Sequence, residues 1–177
     1  MRTTTRARLD RLDEQLETYF EELSSYNHEQ LNGPGKNGGW SAMQCLHHVL
    51  GAEKGSLAYV KKKLGFDPKL PKTNLFSRLR ASILMTYMYL PFKFKAPSYI
   101  ATDKLPPTSD FETTAAAFRA HREELKTLLD QLDPKWYDYQ VLKHPLAGRI
   151  SLNQMLGFFG SHFQRHRRQG QRALTRH

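Results

Sequence analysis

Apolar spacing limits this chain more than any other feature. Leu9, Leu12, Leu16, Tyr19, Phe20 and Leu23 recur three or four residues apart, the interval that gathers side chains on one face of an α-helix. No run rich in Val, Ile and Thr alternates as a half-buried strand would, so nothing compels a sheet. A Gly- and Pro-rich stretch, LNGPGKNGG, closes the first helix. A second is expected from Ser41 to about Leu64, where GFDP stops it. Ser41 and Gln44 have the spacing of a capping box, and Trp40 stands one residue outside, ready to pack on the first turn. Its inward stripe reads Cys45, His48, Val49, Ala52, Ser56 and Tyr59.

A third helical stretch runs from Leu75 to Leu90 and ends at Pro91. FKFKAPSYIATDKLPPT then reads as an extended connection, long enough to drape over a site. The next helix is expected to open at Ser109, with Glu112 completing a capping box. Phe111, Ala115, Phe118, Leu125, Leu128, Leu129 and Leu132 line one side, and it stops before Pro134. Residues 136–148 read as a loop containing HPLAG. The last helix opens at Ser151, with Gln154 three residues on, and buries Leu152, Met155, Leu156, Phe159, Phe163 and Ala173. The expected fold is all-α: a single domain over residues 1–177, built as an antiparallel four-helix bundle with a long crossover and an inserted helix and connection over 75–107.

Charge and cysteine usage narrow the partners. Lys and Arg number 27 against 17 Asp and Glu, a formal charge of +10, which favours anionic partners or simply a solvated basic surface. Cys45 is the single cysteine, so an intrachain disulfide and the multi-cysteine zinc frameworks are excluded and a reducing compartment fits. The N-terminal MRTTTRARLDRLDEQL has no apolar core of a secretory signal, and the longest apolar run, Ile83 to Leu90, is too short to span a bilayer. The expectation is a cytoplasmic protein.

The histidines carry the chemistry. His162 and His166 stand four apart, which places them on one helix face with Cβ atoms roughly 5–6 Å apart, close enough to share an ion. They continue the apolar stripe Leu152, Met155, Phe159 and so should face the interior. Unpaired imidazoles there are costly and need a partner, either a core hydrogen bond or a metal. His48 on the inward stripe of the second helix offers a third imidazole, whereas His47 turns about 100° away. Three imidazoles leave one tetrahedral position open. Cys45, one turn before His48, reads either as a fourth ligand that would close the site or as a small buried hydrophobe, the commoner fate of a lone cysteine.

The segments GGWSAMQCLHHVLGAE and HPLAGRISLNQMLGFFGSHFQRHRRQ together resemble the DinB/YfiT-like superfamily of metalloenzymes, and PFKFKAPSYI is similar to members with an extended insertion. The resemblance covers most of the chain. It implies a four-helix bundle with a three-histidine metal site, in which His48, His162 and His166 match the ligands. Cys45 stands where the family has an apolar residue. Glu53 matches a recurrent acid but is turned about 140° from His48, so it reads as a supporting residue rather than a ligand.

Such a site would activate water or a thiol, giving a metal-dependent hydrolase or a thiol S-transferase, with zinc, nickel or iron as the ion and a low-molecular-weight thiol as a second cofactor in the latter case. No general base is evident, so no catalytic side chain is assigned beyond the ligands. The basic surface would receive a small anionic substrate; Arg165, Lys93 and Lys95 are candidates for the rim, with plain solvated charge as the alternative. Gln169 is placed to orient a ligand or to satisfy a core hydrogen bond. The resemblance also implies a homodimer. The alternative from another class is a basic helical bundle that binds nucleic acid or an acidic surface, its metal structural or vestigial. Against nucleic acid, the aromatics fall on core stripes rather than among the basic residues of HRRQGQRALTRH.

Overall fold

A computed structural model of the chain describes residues 1–90 and 105–175. Its helices are α1 (Thr3–Leu23), α2 (His28–Asn32), α3 (Ala42–Leu64), α4 (Leu75–Tyr89), α5 (Phe111–Gln131) and α6 (Leu152–Leu174). Two short strands, β1 (Leu142–His144) and β2 (Gly148–Ile150), pair as an antiparallel hairpin just before α6. The long helices start where their caps dictate. Ser41 accepts from the Gln44 amide while the Gln44 side chain accepts from the Ser41 amide, and Ser151 with Gln154 repeats the device on α6.

Four helices form the bundle, and their directions follow from the residues that meet. Thr5 bonds Asn153, and Tyr19 lies against Gly170, so α1 and α6 run parallel. His47 meets Thr114 and Glu53 meets Arg122, so α3 and α5 run parallel too. Arg119 forms a bidentate pair with Glu17 at 2.9 and 2.7 Å, which sets α5 antiparallel to α1, and Gly170 beside Ala42 sets α6 antiparallel to α3. The expected four-helix bundle with a long crossover is present; within it, α1 with α6 and α3 with α5 are parallel rather than antiparallel. Two consecutive bundle helices, α3 and α5, point the same way, and the chain must return between them.

α4 makes that return. It lies along the outside of α6 and parallel to it: the Gln154 side chain donates to the Ser77 carbonyl at one end, and Arg165 donates to the Leu90 carbonyl at 2.9 Å at the other. Fifteen residues span about 22 Å, much of the length of α3. The expected extended connection over residues 91–104, with Lys93 and Lys95, lies outside the described residues.

Three local expectations need correction. Asp110, not Ser109, caps α5, accepting from the Thr113 amide; Ser109 instead exchanges backbone hydrogen bonds with the Asn32 side chain, and Glu112 closes no box. Residues 136–148 are not all loop: a 3₁₀ turn (Pro134–Asp138) and the hairpin occupy much of this stretch. On α3 the buried stripe leaves Ala52, Ser56 and Tyr59 half-covered and runs instead through Glu53, Leu57 and Val60.

Glu53 is fully buried and, with Arg122 and His121 of α5, forms a polar layer across the core. Arg122 donates to Glu53 at 3.0 Å, the His121 ring lies 3.5 Å from the same carboxylate, and Arg122 also approaches Asp13 of α1 at 3.7 Å. Apolar clusters lie on either side of it. One gathers Leu9, Leu57, Leu125, Leu129 and Phe159; the other gathers Leu16, Phe20, Leu46, Phe118 and Phe163.

Candidate metal centre

The seam between α3 and α6 brings together the three histidines singled out in the sequence. Gly170 allows the close approach: a Cβ there would lie 2.3 Å from the Tyr19 hydroxyl and 3.4 Å from Cα of Ala42. Helix α3 presents His48 from its second turn, and α6 presents His162 and His166 one turn apart. All three are buried, with relative exposures of 6, 7 and 8 %. One ring nitrogen from each can be chosen so that the three lie within 4.8 Å of one another, and the Nε2 atoms of His48 and His162 stand 3.1 Å apart.

These residues fit a metal ion. Ligand nitrogens about 2.0–2.1 Å from a tetrahedral ion stand about 3.4 Å from one another; the His48–His162 pair is at 3.1 Å and the whole set within 4.8 Å, so small side-chain shifts suffice. Nδ1 of His48 and Nδ1 of His162 are buried with no hydrogen-bond partner among the described residues. Without an ion, the His48–His162 contact is at best one hydrogen bond among several buried ring nitrogens, a poor compensation for burial. Burial pushes the His48 imidazole down to about 4. Burial, then the neighbouring His48 and Arg165, pushes His166 to about 3. His162 is held well below its ordinary value by burial, with His166, His48, His144 and Arg165 adding to the effect. All three rings are therefore neutral at pH 7, the protonation state a metal requires of imidazole.

Packing fixes the rings. The Trp40 ring lies 4.8 Å from His48 and stacks on His166 at 5.7 Å, so the residue just before the α3 cap closes one side of the cluster. Phe158 stacks on His162 at 5.1 Å. Nδ1 of His166 donates to Oε1 of Gln169 at 3.1 Å, which leaves its Nε2 with a free lone pair. Gln169 thus makes a hydrogen bond to a buried ring of the triad, which satisfies one of its polar nitrogens.

The other candidates separate cleanly. Cys45 is buried, its thiol pushed up to about 12 by burial, and it takes no part in the histidine group. The packing reading holds over the ligand reading. His47 faces α5, its Nε2 3.3 Å from the Thr114 hydroxyl. Glu53 is engaged by Arg122 and His121, away from the triad. Arg165 is half-buried and tied to the end of α4, close enough to His162 and His166 to disfavour their protonation.

Sequence reasoning missed His144. It sits on β1, its Nδ1 accepts from the amides of Leu146 and Ala147, and its ring lies 4.5 Å from Phe158. Burial pushes it down to about 4, and its proton therefore resides on Nε2. The three-residue strand carrying it is too short for a periodic signal. The Pro-Leu-Ala-Gly turn after it was the one local mark of a hairpin.

Known proteins similar to this chain are named for metal-dependent hydrolysis. A protein of Oceanobacillus iheyensis, named as a candidate metal-dependent hydrolase, is 25% identical over 140 residues, covering 79% of this chain and 68% of that one. The fold matches that of YfiT from Bacillus subtilis, described as a probable metal-dependent hydrolase with an unusual four-helix bundle topology. The TM-score is 0.67 and the identity 20%, over 99% of this chain and 89% of that one. The family model of the DinB superfamily matches residues 3–169, nearly the whole chain, and the protein belongs to that superfamily.

Proposed function

We propose that His48, His162 and His166 hold one divalent metal ion and that the protein is a metal-dependent hydrolase of a small molecule. The observation that carries this reading is the convergence of three buried, neutral imidazoles from two helices, with no fourth protein ligand among the described residues. When bound by three imidazoles, an ion keeps its full positive charge and an open position, and it lowers the pKa of a coordinated water toward ~7 in the case of zinc. The relative's name, given for hydrolysis dependent on metal, supports the same reading.

The chain's own residues have definite roles in this account. Gln169 holds His166 in the tautomer that presents Nε2. Trp40 packs on the His48 and His166 rings and Phe158 on the His162 ring, which holds all three and keeps water from their faces. Arg165 adds positive charge beside the site, which suits an anionic substrate. His144 presents a neutral imidazole whose protonated nitrogen is set by the backbone of its own turn. Imidazole ligands suit zinc, nickel and iron alike. A thiol transferase would use the same three histidines and differ in taking a low-molecular-weight thiol at the open position. Residues 1–177 are proposed to act as one domain, since the first and last long helices pack against each other.

Cobalt(II) titration of metal-free protein tests the reading. The visible bands of a cobalt site with nitrogen ligands should appear, saturate at one equivalent, and be lost in His48→Ala, His162→Ala and His166→Ala. Bands that persist in any one of these variants would remove that histidine from the ligand set. Turnover that requires a low-molecular-weight thiol and transfers the substrate group to its sulfur would select the transferase reading; thiol-independent hydrolysis would select the hydrolase.

A further inference from the structure

Helix α4 is apolar on two opposite sides. Ser77, Ala81, Leu84 and Met88 face α6 and the core. Leu75, Leu79 and Ile83 follow one another at four-residue steps, drifting through about 80° of arc, on the other side of the helix, with Phe76 beside them. Leu75, Phe76, Leu79 and Ile83 are 82, 64, 55 and 59 % exposed. Leu146 at the hairpin tip is 59 % exposed and lines one groove of about 250 Å³ together with Ile83, Leu84 and Tyr87, so the apolar surface continues from the helix onto the hairpin. Contiguous exposed apolar surface of this kind marks an interaction site.

Charge says what it meets. All 17 Asp and Glu residues lie outside residues 68–90 and 139–175, the described segments that supply α4, the hairpin and α6 and that hold ten Lys and Arg. Elsewhere the two signs balance, so these segments match the whole positive excess. Lys69 just before α4, Arg78 on α4 and Lys143 on β1 are exposed, and none of them enters an ion pair among the described residues. A second copy docking face to face would bring two such cationic surfaces together. Nucleic acid would leave a leucine and isoleucine stripe without partners, because bases are gripped by stacking aromatics and phosphates by cations. The exposed aromatic ring of Phe76 is already covered by the Arg80 guanidinium at 4.9 Å.

We propose that the outer face of α4, with the hairpin tip, docks on an anionic lipid membrane. The helix would lie in the plane of the interface, Leu75, Phe76, Leu79 and Ile83 entering the boundary between headgroups and acyl chains while Lys69, Arg78 and Lys143 meet anionic headgroups. No helix of the described residues is long and apolar enough to cross a membrane, so the association is peripheral. It is independent of the metal.

Vesicle co-sedimentation of the full chain tests this. The protein should sediment with vesicles of equimolar phosphatidylcholine and phosphatidylglycerol, remain in solution with phosphatidylcholine alone, and be released by salt. The double variant Leu79→Asp, Ile83→Asp should bind at least about tenfold more weakly, since it removes the apolar contribution and adds repulsion. Leu75→Asn, at the most exposed position, should weaken binding with little risk to folding. His162→Ala should bind like the parent, which separates this surface from the proposed metal site. Absence of binding to the anionic vesicles, or undiminished binding by the folded Leu75→Asn and double variants, would overturn the proposal. A concentration-dependent dimer in sedimentation velocity that the double variant abolishes would also overturn it, assigning the face to a second copy.

Discussion

At the scale of single residues, burial and protonation define the candidate centre. His48, His162 and His166 are all held neutral by burial, whereas unfolded histidines titrate near 6.5. Below that pH the unfolded chain takes up protons that the folded, metal-free protein refuses. Their contribution to stability is therefore intact above about 6.5 and is lost as pH falls toward the folded values. Metal-free protein should lose roughly 2 kcal/mol per buried histidine between about pH 7 and pH 5, read from denaturant midpoints at the two values. An unchanged midpoint would contradict their burial. Gln169 acts through His166 alone. Gln169→Leu should weaken metal binding about 10–100-fold in a chelator competition, while Gln169→Glu, which keeps an acceptor for Nδ1, should largely preserve it. Cys45→Ser should leave metal affinity unchanged, because the thiol lies apart from the triad.

At the scale of helices, the Glu53–Arg122–His121 layer pins α3 to α5. Glu53→Ala would leave a guanidinium buried with only the more distant Asp13 to answer it, and breaking such a pair costs about 3–5 kcal/mol. The double variant Glu53→Ala, Arg122→Ala should recover part of that loss in chemical denaturation; a fully additive loss would show the two do not act as a pair. This layer also shows where sequence patterning runs out. The apolar stripe of α5 was readable as Phe118 followed by Leu125, and the two residues filling the turn between, His121 and Arg122, are polar and therefore invisible to a hydrophobic period. They face inward only because Glu53 waits on α3, a pairing across 69 positions that no local pattern encodes. The same polar residue displaced the expected α3 stripe from Ala52, Ser56 and Tyr59 to Glu53, Leu57 and Val60. The Ser41 and Ser151 caps, by contrast, were legible because a capping box is complete within four residues. Asp110 rather than Ser109 caps α5: Asn32 on the facing segment ties down both backbone groups of Ser109, and the helix opens one residue later.

At the scale of the molecule, topology explains the inserted segment. With α3 and α5 parallel, a short loop cannot join them, and α4 carries the chain back along α6. The five long helices and the insertion were readable from spacing and prolines, whereas the five-residue α2, too short to show a period, was not. The directions were not, because they depend on which faces meet. The triad was readable because its three histidines fall on apolar stripes of two long helices, and the bundle had only to bring α3 and α6 together. His144 was not, because its position depends on a hairpin formed by six paired residues. The same architecture segregates charge, with the carboxylates kept off the segments that build the α4 side.

The most direct test is the metal content of protein produced without an affinity tag and never exposed to chelator, measured by native mass spectrometry. The account predicts about one divalent ion per chain, the number one three-histidine site can hold, and none in His48→Ala, His162→Ala or His166→Ala. Parent protein that carries no ion and takes up none when zinc, nickel or iron(II) is supplied, or a histidine variant that keeps its ion in full, would contradict it.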